Sequence, residues 1–431
     1  MYTAIRLTPC LTMSDKTILV WFRNDLRIHD NEILLEAVRK ADKIVLVYCF
    51  DPYYFKTKAS GEPKTGSIRA KFLLESVADL RESLRAIGGE LIIKIGNPAE
   101  VIPQLAETYQ VNEVYHHREV AHEETAISET VETALWRMKL NLKHFIGHTL
   151  YHKEDLPFPI KDIPDSFAIF KKKVERDSTV RPCIGTPGFI RTPTIDDAGG
   201  LPTLEELGLE APVFEGQGGE AFTGGETVAL RHLDELFLNA EHATPGKGGR
   251  SATLHAFPSK LSAWISLGCI SMRQVYWEVT NHQQSAHTNV FNSILLDLLW
   301  RDYFRFMFKK HGQKFIALKA GGQNTTDIAD NQDELFEIWK KGATGIPLVD
   351  GFMHELNTTG YINKYGRQIV AGFLVNDLKI DWVKGAEYFE EKLIDYSPAS
   401  NWGNWAFIAG VNNPVESRYN IAPRPALEME T

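Results

Sequence analysis

Several groups of residues in this 431-residue chain have the types and spacing that chemistry requires. In "HAFPSKLSAWISLGCIS" (255–271), Pro258 suits the first turn of a helix, where its missing N–H costs nothing. Ser259, Lys260, Leu261 and Ser262 surround that N-terminus. Free backbone N–H groups, the helix dipole and an ammonium make an anion site suited to a diphosphate. The plain alternative is a capped helix with a solvated lysine. In "LLDLLWRDYFRFMFKK" (295–310), Asp297, Trp300 and Arg301 fall at i, i+3 and i+4, on one face of a helix apolar almost all round. Such a trio is costly unless it faces a polar cavity, or unless Asp297 and Arg301 pair internally with Trp300 as core. Downstream, Arg305, Lys309, Lys310, Lys314 and Lys319 oppose only Asp302, which reads as a basic stripe or as a solvated helix face. Arg367 opens an apolar helix with Val370, Ala371 and Leu374 on its face and needs an anionic or π partner. Asp395 is the candidate. "NWGNWAFIAGV" (401–411) packs two indoles and two carboxamides together, with Trp382 upstream; core packing is the alternative for each tryptophan.

The elements that must position these groups come in two styles. From residue 17, β-branched runs alternate with amphipathic helices: strands at 17–22, 43–50, 90–96, 112–117 and 142–147, helices at 31–41, 67–87, 98–109 and 122–140. This alternation predicts an α/β doubly wound parallel sheet. No G-x-G-x-x-G follows the first strand, which argues against a dinucleotide there, while a small ligand at the carboxyl ends of the strands is compatible. Residues 151–224 are rich in Pro, Gly and Asp and read as a long connection. From about 225 strand patterns vanish and an all-helical domain is predicted. The expected units are therefore 13–150, 151–224 and 225–431.

A chain this long exceeds one simple core. Its net charge of -9 makes no global case for nucleic-acid binding, though a local basic cleft is compatible. The four cysteines lack metal-like spacing and suggest reduced thiols in a cytoplasmic protein. No apolar run is long enough to span a bilayer. The first residues read as a loose extension, with Met13 near the functional start.

Taken together, "TILVWFRNDLRIHDNEIL", "GATGIPLVDGFMHELNTTGYI", "GRQIVAGFLVNDLKIDW" and "NWGNWAFIAGV" resemble the photolyase/cryptochrome flavoproteins. "LPFPIKDIPDSFAIFKK", "LLWRDYFRF" and Gln368 after "YGR" resemble the cryptochrome DASH group. The resemblance spans about residues 17–420. It implies an antenna domain, then a helical domain holding FAD, a blue-light photoreceptor or a DNA repair enzyme. The enzyme reading is a deoxyribodipyrimidine photo-lyase that splits cyclobutane pyrimidine dimers by electron transfer from excited reduced FAD, preferentially in single-stranded DNA, where no base need be extruded from a duplex. The alternative is a sensory cryptochrome with little or no repair. A monomer is expected.

Residue by residue, the resemblance places Ser259, Lys260, Leu261 and Ser262 at the FAD phosphates and Arg301 on FAD. Arg367 and Asp395 lie beside the isoalloxazine. Asn401 faces flavin N5, where its amide accepts a hydrogen bond from the protonated ring nitrogen. Trp405 and then Trp382 form the inner part of an electron-hopping chain. Trp300 stacks on the dimer. Asp297 stands where a longer Glu contacts the damaged base, with Gln368 also toward substrate. Departures are Lys364 for Asn, Tyr365 for a DNA-contacting Arg, Ser397 for an Asp near the flavin, and Phe407 for Tyr or Trp. Trp402 takes a position usually Tyr, as core or extra donor. The outermost tryptophan of the chain, expected near Ala329, is missing. The family often carries 5,10-methenyltetrahydrofolate as antenna against a carboxylate, for which Glu123 is the candidate; a solvated Glu at a helix start is the alternative.

Overall fold

The computed structural model describes residues 15–58, 61–212, 222–242, 259–282, 288–312, 314–317 and 331–411. Met13, Pro258, Lys319 and Ala329 lie outside them. Five strands, β1 (Thr17–Phe22), β2 (Lys43–Phe50), β3 (Leu91–Ile95), β4 (Glu113–His117) and β5 (Asn141–Phe145), form one parallel sheet in the order β3-β2-β1-β4-β5. Helices α1 (Glu32–Lys40), α2 (Ser67–Ala86), α3 (Pro98–Thr108) and α4 (His122–Arg137) connect them. Both faces are covered, as the continuous apolar strands require. Leu19, Trp21, Val45 and Val47 pack on Ile102, Val131 and Leu135 of α3 and α4. Ile18, Val20, Phe22 and Leu46 face the other way and belong to the same cluster as Trp264 and Phe304 of the helical half. The two halves therefore share a core.

The strand order reverses between β1 and β4, which opens a crevice at their carboxyl ends. The residues lining it are tied to one another. Arg23 donates to Ser128 Oγ (2.8 Å) and to the Glu124 carbonyl (3.2 Å). His117 Nδ1 bonds Asp25 (2.8 Å), and Glu119 is bridged to Arg305 (2.8 Å). The chain leaving β1 docks directly on the helical half, with Leu26 N–H on the Leu267 carbonyl (3.1 Å) and Arg27 on Gly268 (2.9 Å). Gly268 has φ +65°, and a Cβ there would sit 2.0 Å from the Asn24 carbonyl oxygen, so the contact requires glycine.

The connection over 151–224 is more structured than its composition suggests. It contains α5 (Phe167–Asp177), and part of it runs along the sheet edge through Ile190 N–H to Ile87 O (2.7 Å), Ile44 N–H to Arg191 O (2.8 Å) and Ile93 N–H to Ala198 O (2.7 Å). Pro and Gly break helix periodicity without preventing backbone pairing across elements, which local patterns cannot show.

Helices α6 (Glu226–His242), α7 (Ser262–Ser266), α8 (Met272–His282), α9 (Thr288–His311), α10 (Lys314–Ala317), α11 (Gln332–Lys341), α12 (Pro347–Thr359), α13 (Lys364–Gly372), α14 (Trp382–Lys392) and α15 (Pro398–Ile408) complete the described chain. Their ends follow ordinary cap chemistry. Asn363 accepts from Gly366 N–H (2.8 Å) to start α13, and Asp381 accepts from Val383 N–H (3.0 Å) to start α14. Helix α9 is buried on most sides, as its all-round apolarity predicts, with Phe291, Leu298, Phe304, Phe306 and Phe308 in the core. It crosses α15 closely: a Cβ on Gly403 would lie 2.4 Å from the Phe304 ring. Gly403 thus serves helix packing against Phe304. Gly403→Ala is expected to destabilise the protein by roughly 1–3 kcal/mol through overpacking, read from the denaturant midpoint of the flavin-free protein.

Candidate flavin and substrate site

The site is assembled from α7, α9, α13, the turn before α15, and α15 itself. Arg367, in the first turn of α13, donates through Nε to the Ile362 carbonyl (2.8 Å) and through Nη2 to Asp395 (2.7 Å). The sequence expectation of an anionic partner for Arg367 is met by this contact. Burial alone would lower the Arg367 pKa, but Asp395 and Tyr361 outweigh it and hold the guanidinium charged. The Arg367 guanidinium lies 5.4 Å from the Tyr361 ring centroid, so the residue has a π partner as well. Burial lifts the Tyr361 phenol to about 12, opposed by Arg367 and by a hydrogen bond with Ser262. Ser262 of α7 is thereby tied to the Arg367–Asp395 pair.

Arg301 comes from α9. Its Nη2 reaches the Ile265 carbonyl of α7 (3.4 Å). Burial, with Arg305 nearby, pushes its pKa down to about 10. Among the described residues, Arg301 Nε, Asp395 Oδ1 and Ser400 Oγ are buried polar atoms without a hydrogen-bond partner. Unpaired buried donors and acceptors are expensive, so three of them on elements that contact one another fit a polar ligand held there. Asn401 is buried and its amide nitrogen donates to the Ala386 carbonyl (2.9 Å), which leaves the carboxamide oxygen as the end that accepts. Ser397, also buried, gives its carbonyl to Asn401 N–H (2.8 Å) at the start of α15.

The phosphate turn differs in detail from expectation. Helix α7 begins at Ser262 and has five residues, so Ser259 and Lys260 precede it rather than forming its first turn. Lys260 adopts φ +54°, a left-handed conformation unusual for a residue with a side chain. Leu261 is buried, and the Ser259 carbonyl accepts from His232 Nε2 (2.8 Å). The turn is built by backbone geometry more than by a helix end.

Asp297 does not pair with Arg301. It takes Lys364 of α13 (2.8 Å), with both side chains about half exposed. The i,i+4 pair fails because Arg301 turns inward to α7 while Asp297 stays at the rim. Trp300 is half-buried and stacks flat on Phe167 of α5, with centroids 3.6 Å apart and planes within 10°. Gln368 is half-buried on α13.

The basic stripe is only partly exposed, at Lys309 and Lys314. Arg305 is buried against Glu119, and Lys310 is neutralised by Asp165 (2.6 Å). Asp302, expected to oppose the stripe, is fully buried and accepts from the backbone N–H of Leu150 (2.8 Å) and Tyr151 (2.9 Å). Burial raises its pKa to about 7 against those two bonds. The charge pattern along α9 misled because half of it turns toward the α/β unit, which one helix's sequence cannot reveal.

Trp405 is enclosed, with ring neighbours Phe389 (5.0 Å) and Trp339 (6.5 Å), while Trp382 meets Trp402 edge to face (5.8 Å). Trp339, Phe167, and the Glu119–Arg305 pair were not legible as site-shaping residues. The amphipathic spacing of "ELFEIWKKG" was the one signal for Trp339 as core. Glu123 sits in the first turn of α4 and pairs with Lys64 (2.8 Å), which also bonds Glu390 of α14 (2.8 Å).

The DNA photolyase family model matches residues 18–187, and the FAD binding domain of DNA photolyase matches residues 294–424. A cryptochrome DASH of Gloeobacter violaceus is 44% identical over 93% of this chain and 80% of its own. The chain belongs to the photolyase/cryptochrome family. A chloroplastic/mitochondrial cryptochrome DASH of Arabidopsis thaliana is 40% identical over 95% of this chain and 72% of its own. The crystal structure of a Synechocystis cryptochrome superposes with a TM-score of 0.83 at 39% identity, covering 92% of this chain and 83% of that one. This photolyase/cryptochrome is most like the DASH group, and it is a blue-light flavoprotein with an FAD-binding domain. Among the described residues no helix is long and apolar enough to cross a membrane.

Asp395→Asn is expected to leave Arg367 without its anion in a largely enclosed site. The loss is about 3 kcal/mol of apoprotein stability, together with weaker FAD retention, measured by denaturation and by flavin content after gel filtration.

Proposed function

We propose that this chain repairs cyclobutane pyrimidine dimers in single-stranded DNA under blue light, acting as a monomeric deoxyribodipyrimidine photo-lyase in a reducing, cytoplasmic compartment. The observation that carries the reading is the joining, on one turn of α9, of the half-buried Arg301, whose Nε is enclosed and unpaired, to the half-buried Trp300. That turn links a polar site to an indole that a base can stack on. FAD, when bound, supplies the light-driven electron chemistry. Arg301, Arg367, Asp395 and Ser262 hold it, with Ser259, Lys260, Leu261 and Ser397 shaping the approach. Asn401 offers its carboxamide oxygen to a ring N–H, and Trp405 with Trp382 supplies electrons. The fully buried Trp405 keeps that donor away from water.

Single-stranded substrate fits the charge distribution. With Arg305 and Lys310 neutralised internally, few cations remain on this helix to draw in duplex phosphates. A dimer already unpaired requires no extrusion energy. Gln368 and Asp297 address the base from α13 and α9. Glu123 takes 5,10-methenyltetrahydrofolate as antenna by exchanging its bond to Lys64, which is reasonable for a carboxylate that is 42% exposed.

One observation favours the second reading, a sensory cryptochrome: Asp297 is already committed to Lys364. The two separate on light-driven repair of a thymine-dimer oligonucleotide by chemically reduced protein, single- against double-stranded. Repair in the single strand supports the enzyme, and none in either strand leaves the sensor. Trp405→Phe is expected to slow light-driven flavin reduction while sparing repair by chemically reduced protein; equal photoreduction would remove Trp405 from the path.

A further inference from the structure

The sequence holds nine tryptophans and none between Trp300 and Trp339, so the outer electron donor of the hopping chain cannot come from the segment where it was expected. Trp21 and Trp136 belong to the α/β half. The ring neighbours of Trp264 are Phe72, Phe222 and His232, that of Trp277 is Tyr276, and Trp300 lies on Phe167, so these rings sit on partners other than Trp405 and Trp382. Trp339 and Trp402 remain.

They differ in the way that matters. Trp339 touches Trp405, is completely buried, and gives its N–H to the Val370 carbonyl (3.0 Å). A hole reaching it branches off before Trp382 and rests on an indole that water does not reach. Trp402 touches Trp382 edge to face at 5.8 Å and is partly exposed. Its indole N–H donates to the Tyr396 hydroxyl oxygen (3.3 Å). A cationic indole is favoured where water reaches it, and exposure increases on going from the buried Trp382 to Trp402.

We propose that Trp402 is the outermost electron donor of this protein, replacing the missing tryptophan. The proposal rests on the flavin reading above and deepens it. Light-excited oxidised FAD is the oxidant. After Trp405 and Trp382 have each passed one electron inward, one electron leaves the Trp402 indole and fills the hole on Trp382. No bond breaks, and the indole proton stays on nitrogen, held to the Tyr396 oxygen. A thiol in solution returns one electron to Trp402 at its exposed edge, giving up its proton to solvent as a thiyl radical forms.

The test is flash photolysis of FAD-loaded, oxidised protein, following the absorbance and electron paramagnetic resonance of the amino-acid radical, with flavin content confirming that each variant is folded and loaded. Trp402→Phe is expected to lose the long-lived indole radical and to slow thiol-dependent photoreduction. Trp402→Tyr is expected to restore a long-lived radical with a phenoxyl spectrum, a change no merely structural role produces. Trp339→Phe is expected to keep the wild-type signal. A wild-type radical lifetime in Trp402→Phe, or an indole spectrum persisting in Trp402→Tyr, overturns the proposal. The underlying flavin reading fails separately, if Trp405→Phe leaves the primary light-driven electron transfer intact.

Discussion

Much of the architecture depends on one buried contact: the 2.8 Å bridge between Arg305 of α9 and Glu119, just beyond β4. Both side chains are almost wholly enclosed. Removing one partner from such a pair strands a charge, at a cost of about 3–5 kcal/mol. The pair joins the helix that carries Arg301 and Trp300 to the carboxyl ends of the sheet. Around it, Asn24 donates to Glu119 (3.0 Å), and the imidazole Nε2 of His148 lies 3.4 Å from the same carboxylate. Burial, opposed by His148 and Arg305, leaves Glu119 well below the usual carboxylate range, while burial and Glu119 itself lift Glu124 to about 8. One carboxyl is thus held ionised for Arg305 and its neighbour is held protonated.

This network sits at the switch point of a doubly wound sheet. The switch point between β1 and β4 is the place where such sheets take ligands. Here Arg23, Asp25, His117 and Glu119 fill it and the helical half docks on it. The sheet serves as a platform. The candidate ligand site lies where α7, α9, α13 and α15 come together.

The division of labour along α9 follows from its rotation. Successive side chains at 301, 302 and 305 face α7, the start of the connection, and the sheet in turn. Asp297 and Trp300, one turn earlier, face the rim and α5. A helix with no polar side can satisfy its charges only by sending each to a different neighbour. The aromatic residues sort in the same manner. Trp405 and Trp339 go inward to one cluster, and Trp402 borders both cores.

The sequence alone determined the sheet, its strands within a residue or two, the helical second half, and the need of Arg367 for an anionic or π partner. Strong period-two and period-3.6 patterns and rare residue types in apolar helices carry that information locally. The long ordered motifs also carried the family. Only the tertiary structure decided that the 295–310 charges disperse, that Asp297 takes Lys364 and not Arg301, that α7 starts at Ser262, and that Trp382 meets Trp402. Each of these depends on which distant element presents a partner, such as Glu119, Asp165 or α13. A charge's partner in a folded protein is set by distance in space, and sequence spacing fixes that distance only within a single helix or strand.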